Sequence, residues 1–236
     1  MSSRLKQIAA MVPPGAAVAD IGTDHAYLPI HLVQSGRVDQ VIASDVSSGS
    51  LAKARQAVIA AGLEDRISLR LGSGLAVLAP GEASTIIIAG MGPETIFKIL
   101  TTTPTVVADT EQFLLQPMQN PGRLRGHLNK LGLRLTDEVL VQEGQRFYVI
   151  MQATAGDMIS CSSELLEVGP CLVAKSDPLL AAYLAHRISQ EERIYLEAGA
   201  SGSKLARIRQ QLADRRISVW REILHGCESQ LCNEPN

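Results

Sequence analysis

The sequence predicts an α/β protein, an open and mostly parallel sheet followed by an antiparallel two-helix hairpin. Three observations predict it. Short apolar runs alternate with helical stretches from residue 17 to about 154. Those runs are continuously apolar, as strands buried on both faces are. Beyond residue 177 the pattern changes to two long helical stretches parted by "GASG". Alternating units that end in a strand pair make an open sheet and not a barrel.

The elements follow in order. Strands are read at 17–21 ("AVADI"), 40–45 ("QVIASD"), 67–71 ("ISLRL"), 84–89 ("STIIIA"), 112–116 ("QFLLQ"), 137–143 ("DEVLVQE") and 146–154 ("RFYVIMQAT"). Helices fill 25–35, 48–61, 93–101 and 121–131. The last two strands are nearly contiguous, with "GQ" at the turn, so they pair as a hairpin. Residues 155–176 read as irregular. "SDP" then signals a helix start, with Asp177 as N-cap and Pro178 in the first turn. Helices follow at about 178–198 and 203–225. In the second, Leu205, Ile208, Leu212, Val219 and Ile223 recur at helical spacing, and Arg215 and Arg216 interrupt the stripe. The predicted division is 1–176 for the sheet domain, 177–227 for the hairpin and 228–236 for a frayed tail.

Composition excludes several classes. The chain has 236 residues, 46% hydrophobic and 19% charged, which suits a globular core. Aromatics at 3% argue against an RNA platform built from many stacked rings. No apolar run approaches the ~18 residues of a membrane span. The start, "MSSRLKQIAAMVPPG", is too short in apolar residues for a secretory signal. Cys161, Cys171, Cys227 and Cys232 lack paired C-x-x-C spacing, so neither a metal site nor a disulfide framework is expected, and the compartment is cytoplasmic. Net charge is −2, with 13 basic and 13 acidic residues in 1–154. Within 203–225, Lys204, Arg207, Arg209, Arg215, Arg216 and Arg221 face only Asp214 and Glu222. That excess reads either as a solvated helix face or as an arm that follows a phosphate backbone.

Ligands of open parallel sheets bind beyond the carboxyl ends of the strands. The residues there are Asp20 and Gly22 after the first strand and Asp45 after the second. Gly72, Ser73 and Gly74 follow the third, and Ala89, Gly90, Met91 and Gly92 the fourth. Asp45 suits a ribose, because a carboxylate accepts from two vicinal hydroxyls. The first turn, "DIGTDHAYLP", carries one glycine where a dinucleotide site needs G-x-G-x-x-G. An adenosine cofactor without a phosphate fits that turn, and S-adenosylmethionine is such a molecule. Gly22 admits the ligand, Asp20 faces its ammonium or orders the loop, and Asp24, His25 and Tyr27 stand on the acceptor side. Asp24 is also a good N-cap, and His25 and Tyr27 also suit a helix–sheet contact.

"VADIGTDHAYLPIHL", "VIASDV", "AGLEDRISLRLGSGL" and "IIIAGMGPETI" resemble the TrmK family of bacterial tRNA (adenine-N1)-methyltransferases. "LLQP", "LGLRLTDEVLVQEGQRFYVI" and "EVGP" extend the resemblance over nearly the whole chain. It implies a Rossmann-like class I methyltransferase domain with a C-terminal coiled coil. It also implies S-adenosyl-L-methionine as cofactor and adenine 22 of tRNA as acceptor. Three positions depart from the family's pattern: Ser73 for Asp, Pro93 for Gly and Met118 for Asn, with Asn120 close to the last. Two other readings stand beside this one, a catalytically silent RNA-binding relative and a nicotinamide-dependent oxidoreductase. The oligomeric state is not legible.

Overall fold

The computed structural model describes residues 1–157, 160–200 and 203–231, the last four as backbone only. The chain divides into two compact units, Met1–Ile159 and Ser160–Asn236. The first is a seven-stranded sheet in the order β3-β2-β1-β4-β5-β7-β6. Its strands are β1 (Val18–Ile21), β2 (Val41–Asp45), β3 (Ile67–Leu71), β4 (Thr85–Met91), β5 (Gln112–Pro117), β6 (Leu133–Glu143) and β7 (Arg146–Ala155). β1 to β5 are parallel, and β7 runs antiparallel between β5 and β6.

The centre of the sheet is its most apolar part. Ile86, Ile87 and Ile88 of β4 and Phe113, Leu114 and Leu115 of β5 are fully buried. β-branched and aromatic side chains in consecutive positions leave no solvent face, so both faces must be covered. The covering helices are α1 (Ser3–Met11), α2 (Tyr27–Gln34), α3 (Ser48–Ala60), α4 (Pro93–Thr102), α5 (Pro104–Ala108) and α6 (Pro121–Lys130). Pro93, Pro104 and Pro121 each open a helix, where the missing N–H costs nothing. Among the described residues, no helix is long and apolar enough to cross a membrane.

The strand expectations hold to within a few residues except for β6, which begins at Leu133 and not at Asp137. A register shift between Leu135 and Asp137 breaks the alternation there, so the two halves do not read as one strand. α1 was not anticipated. Ser2 caps it by accepting from Leu5 N at 3.4 Å, and Ile8 and Ala9 bury its inner face. α6 and β6 are joined by an ion pair, Arg125 Nε to Glu138 Oε1 at 2.6 Å, with both side chains fully buried.

The second unit begins earlier than the sequence implied. Residues 160–176 group with the helical unit, and much of that stretch is helical: α7 (Ser163–Val168) and α8 (Pro170–Ala174). Each is too short to display a period, which is why the segment read as irregular. α9 (Leu180–Gly199) starts after Asp177 and Pro178. Asp177 Oδ1 accepts from Leu179 N at 3.0 Å, so the predicted cap closes a turn ahead of the helix. α10 (Lys204–Leu231) continues through 228–231, where a frayed tail was expected; residues 232–236 and the connector's 201–202 lie outside the described residues.

The seam between α9 and α10 also differs from the expected stripe. Leu205, Ile208 and Leu212 are exposed, whereas Ala206, Ala213, Ile217 and Trp220 are buried. The buried set keeps helical spacing one residue over. Trp220 fills the base of the unit, its Nε1 donating to Glu164 O at 3.0 Å, and the Arg187 guanidinium lies 4.9 Å from its ring centre. Arg216, read as an interruption, pairs with Glu191 at 3.0 Å and with Glu167 at 3.6 Å. The pairs Glu191–Arg216 and Glu192–Arg221 fix the antiparallel register.

Candidate active site

The sheet order brings the proposed site residues together, because β3, β2, β1 and β4 are neighbours and their carboxyl ends form one rim. Gly22, at φ +81°, turns the chain off β1. Its N–H and that of Thr23 both donate to Ser44 O, at 2.7 and 2.9 Å. A Cβ on Gly22 would stand 2.1 Å from Met91 Cε, so the β1 and β4 loops meet there. A side chain at this position would be strained in its backbone and crowded in its packing.

Asp45 ties two loops into the rim. Its Oδ1 accepts from Ser47 N at 2.8 Å and its Oδ2 from Asp24 N at 3.2 Å. Each carboxylate oxygen retains a lone pair for a further donor, so a pair of ribose hydroxyls fits without breaking either contact. Gly72 N donates to Asp45 O at 3.1 Å, which seats "GSG" beside it. Ser73 stands at the N-cap position of the 3-10 turn Gly74–Val77 and makes no capping bond with its side chain.

Asp20 lies below this rim. Burial pushes its carboxyl up to about 6, the Thr23 side chain pulls the other way, and the negative charge of Asp45 adds to the rise. The sign of the linkage follows. The folded-state value exceeds the reference 3.8, so the cost of ionising Asp20 is absent below that value and complete above about 6. Stability of the ligand-free chain is therefore expected to fall as pH rises through the window, by about 3 kcal/mol from this group. Asp20→Asn should flatten that slope in denaturant titrations on either side of the window. An unchanged slope would mean another group sets it.

The "TDHAY" turn is held in an uncommon conformation. Asp24 and Ala26 have φ of +47° and +54°. The left-handed region costs a residue with a Cβ about 1–2 kcal/mol. Between them His25 Nε2 lies 3.5 Å from Asp24 Oδ2, and the His25 ring stacks on Tyr27 with centroids 5.3 Å apart. Tyr27 is 56% exposed, so neither a helix–sheet contact nor a packed core explains its place. Asp24 caps no helix: the residue before α2 is Ala26, and no side chain caps it.

β4 ends in a bulge. The register shifts between Ala89 and Met91, and Gly90 adopts φ +78°. Its N–H donates to Gln116 Oε1 at 3.1 Å instead of to a ladder carbonyl. Met118 N donates to Met91 O at 2.9 Å, which links the β4 and β5 loops. Gly92 precedes Pro93 at the start of α4, so the proline departure suits a first helical turn. Asn120, at φ +47°, leads into α6. Behind that turn, Glu94 accepts from Arg123 and meets His127 Nε2 at 2.7 Å; these partners, His127 first, hold its carboxyl below the usual range.

Arg4 and Gln116 tie into the β4 and β5 strand ends and were not singled out by the sequence. Gln116 is wholly buried at a strand end, and a polar residue closing an apolar strand is the signal that was available. Arg4 gave none, since it precedes any recognised element. A second concavity of about 430 Å³, lined in part by Gln40, Arg66, Arg70 and Glu82, lies at the amino ends of the strands. Arg70 and Glu82 form a bidentate pair there, at 2.6 and 2.8 Å. Among the described residues no group of three or more His, Cys, Asp or Glu side chains could hold a metal ion.

An acid closing each of the first two parallel strands, a single glycine at the first turn and no anion cradle define a class I methyltransferase domain. The family described as "Methyltransferase domain" matches residues 1–151. Among curated proteins, the tRNA (adenine(22)-N(1))-methyltransferase of Bacillus subtilis (strain 168) is 34% identical over 234 residues, 96% of this chain and 98% of the relative. The crystal structure of the B. subtilis M1A22 tRNA methyltransferase TrmK superposes with a TM-score of 0.85 at 32% identity, over 95% of this chain and 98% of that one. Streptococcus pneumoniae Sp1610 in complex with S-adenosyl-L-methionine gives 0.84 at 32%, over 95% and 100%. The chain belongs to the TrmK family of tRNA (adenine-N1)-methyltransferases.

Proposed function

We propose that the protein transfers a methyl group from S-adenosyl-L-methionine to N1 of adenine 22 in tRNA. One observation carries the reading: the Asp45 carboxylate and the His25–Tyr27 stack, with Tyr27 exposed, share a single strand-end rim. The bound cofactor supplies a methyl group on a sulfonium centre. Asp45 receives the ribose, Asp20 faces the ammonium, and Gly22, Gly72, Ser73, Gly74, Ala89, Gly90, Met91 and Gly92 line the approach. A cation placed at Asp20 favours its ionised form, so cofactor binding near pH 6 releases a proton.

Adenine N1 carries a lone pair and needs no base, so alignment supplies much of the rate. N1 lies on the Watson–Crick edge, so the base must leave its stack at a cost of a few kcal/mol. Tyr27, exposed and stacked on His25, offers a flat surface for that base. Asp24, 3.5 Å from His25, places a carboxylate where positive charge builds on the ring. The cytoplasm is the compartment this substrate implies.

Methyl transfer from labelled cofactor to bulk tRNA, followed by mapping of the modified base, tests the reading. N1-methyladenine at position 22 is the expected product. Transfer to another base or position would overturn it. Cofactor binding with no transfer would favour the silent RNA-binding relative.

The helical unit is proposed to hold tRNA with fewer cations than its sequence suggests. Arg215 pairs with Glu164 at 2.6 Å, Arg216 with Glu191 and Glu167, and Arg221 with Glu192 at 2.6 Å. Lys204, Arg207 and Arg209 are exposed near the connector end. Replacing those three by Gln is expected to weaken tRNA binding and to flatten its salt dependence by about 0.7–0.9 per lost phosphate contact. Replacing Arg216 is expected to cost stability instead. Binding titrations over a range of salt, with thermal melts, separate the two. An unchanged salt slope in the triple variant would mean this face is only solvated.

A further inference from the structure

The two ends of α1 reach the two ends of β5, with the directions opposed. At the amino end of β5, Gln112 Nε2 donates to Met11 O at 3.3 Å, and at its carboxyl end Arg4 reaches Gln116. The contact joins residues 112 positions apart in the chain. Arg4 Nη1 donates to Gln116 Oε1, the atom that also accepts from the bulged Gly90 N–H, and lies 3.2 Å from Met118 Sδ. The Gln116 amide in turn donates to Pro117 O at 2.6 Å, which fixes which way the side chain faces. The guanidinium sits 5.1 Å from the Tyr148 ring centre, and Glu143 Oε1 accepts from Arg4 N at 2.8 Å.

Arg4 Nε is buried and has no hydrogen-bond partner. A desolvated donor left unmade is unfavourable. Helix–sheet packing alone would be served as well by an apolar side chain, so the guanidinium's contacts at the other end of the fork call for another reason. Those contacts reach two loops of the strand-end rim: Gly90–Met91, through Gln116 and against the Gly22 turn, and Met118 directly.

We propose that Arg4 is a positioning residue for methyl transfer. Acting through Gln116, it holds the β4 bulge and the β5 loop in one geometry, so that the walls on the cofactor and acceptor sides cannot shift independently. The inference rests on the function proposed above. It assigns part of the alignment to a residue outside the sheet. A displacement of about 1 Å at such a site can cost roughly a hundred-fold in rate without touching a reacting atom.

The test is single-turnover methylation of tRNA by the full chain at saturating S-adenosyl-L-methionine. Cofactor and tRNA affinities and the melting temperature are measured separately. Arg4→Met keeps the stem and removes the donors. Its rate is expected to fall roughly ten- to a hundred-fold with both affinities little changed. Arg4→Lys should recover part of the rate, and R4M with Gln116→Met should be no slower than the slower single variant, as for residues that act as a unit.

A wild-type rate in R4M, or a loss fully explained by weaker binding, would overturn the role. Should R4M not fold, Gln116→Met, which removes the shared acceptor, decides, and a wild-type rate there would overturn the role equally. An active wild type with an unaffected R4M removes only this inference. A wild type that methylates no tRNA removes the proposed function and this role together.

Discussion

Asp45→Ala is expected to weaken S-adenosyl-L-methionine binding by at least ten-fold, and Asp45→Asn by nearly as much. The alanine loses a charge-assisted acceptor for the ribose, worth about 1.5–3 kcal/mol. It also frees the N–H groups of Ser47 and Asp24, which the carboxylate accepts at 2.8 and 3.2 Å. The loop carrying Asp24 then has one tie fewer to β2, and ordering it on binding adds to the loss.

Asparagine keeps the shape but has one acceptor oxygen. Whichever way its amide turns, an NH₂ group faces one of the two backbone donors. Calorimetry of the three proteins tests this. An asparagine variant that binds like wild type would mean the carboxylate's second oxygen serves no purpose, and the ribose assignment would move elsewhere.

The second large effect concerns stability. Glu138→Ala is expected to cost about 3–5 kcal/mol, because it takes a carboxylate away from the buried Arg125 guanidinium between α6 and β6. A matched replacement, Arg125→Met with Glu138→Leu, should cost much less than either single change. Desolvating two charges offsets most of what their attraction returns. Denaturant unfolding of the set gives the coupling directly. A single variant that loses under about 1 kcal/mol would mean that water reaches the pair.

The parallel strands were legible because burial on both faces removes alternation: "III" of β4 and "FLL" of β5 contain no residue that would tolerate a solvated face. The acids and glycines of the rim were legible for a similar reason, since each sits at a strand end where the local sequence marks its place. Arg4 was not, because its partners Gln116 and Met118 are brought to it by the fold and not by any local pattern.

The α10 seam failed differently. Leu205, Ile208 and Leu212 and the true seam of Ala206, Ala213, Ile217 and Trp220 have the same period and differ by a one-residue rotation. Periodicity alone cannot choose between them. Small alanines let the backbones approach, and one tryptophan then supplies the volume, a choice that hydrophobicity ranks the wrong way. Charge misled likewise. Arg215 and Arg216 looked available for phosphate until Glu164, Glu167 and Glu191 were found opposite them.

The position of β7 bears on how the protein is made. β5 lies inside the sheet only because β7 covers its outer edge, pairing Phe113 with Ala153 and Leu115 with Met151. A chain emerging from the ribosome completes β1 to β5 well before residue 155 appears. Until then the fully buried strand of the finished sheet is an open edge, apolar on both faces. Such an edge is a template for pairing with a neighbouring chain on the same message. Synthesis paused between residues 117 and 155 is therefore the interval in which this protein is most prone to aggregate.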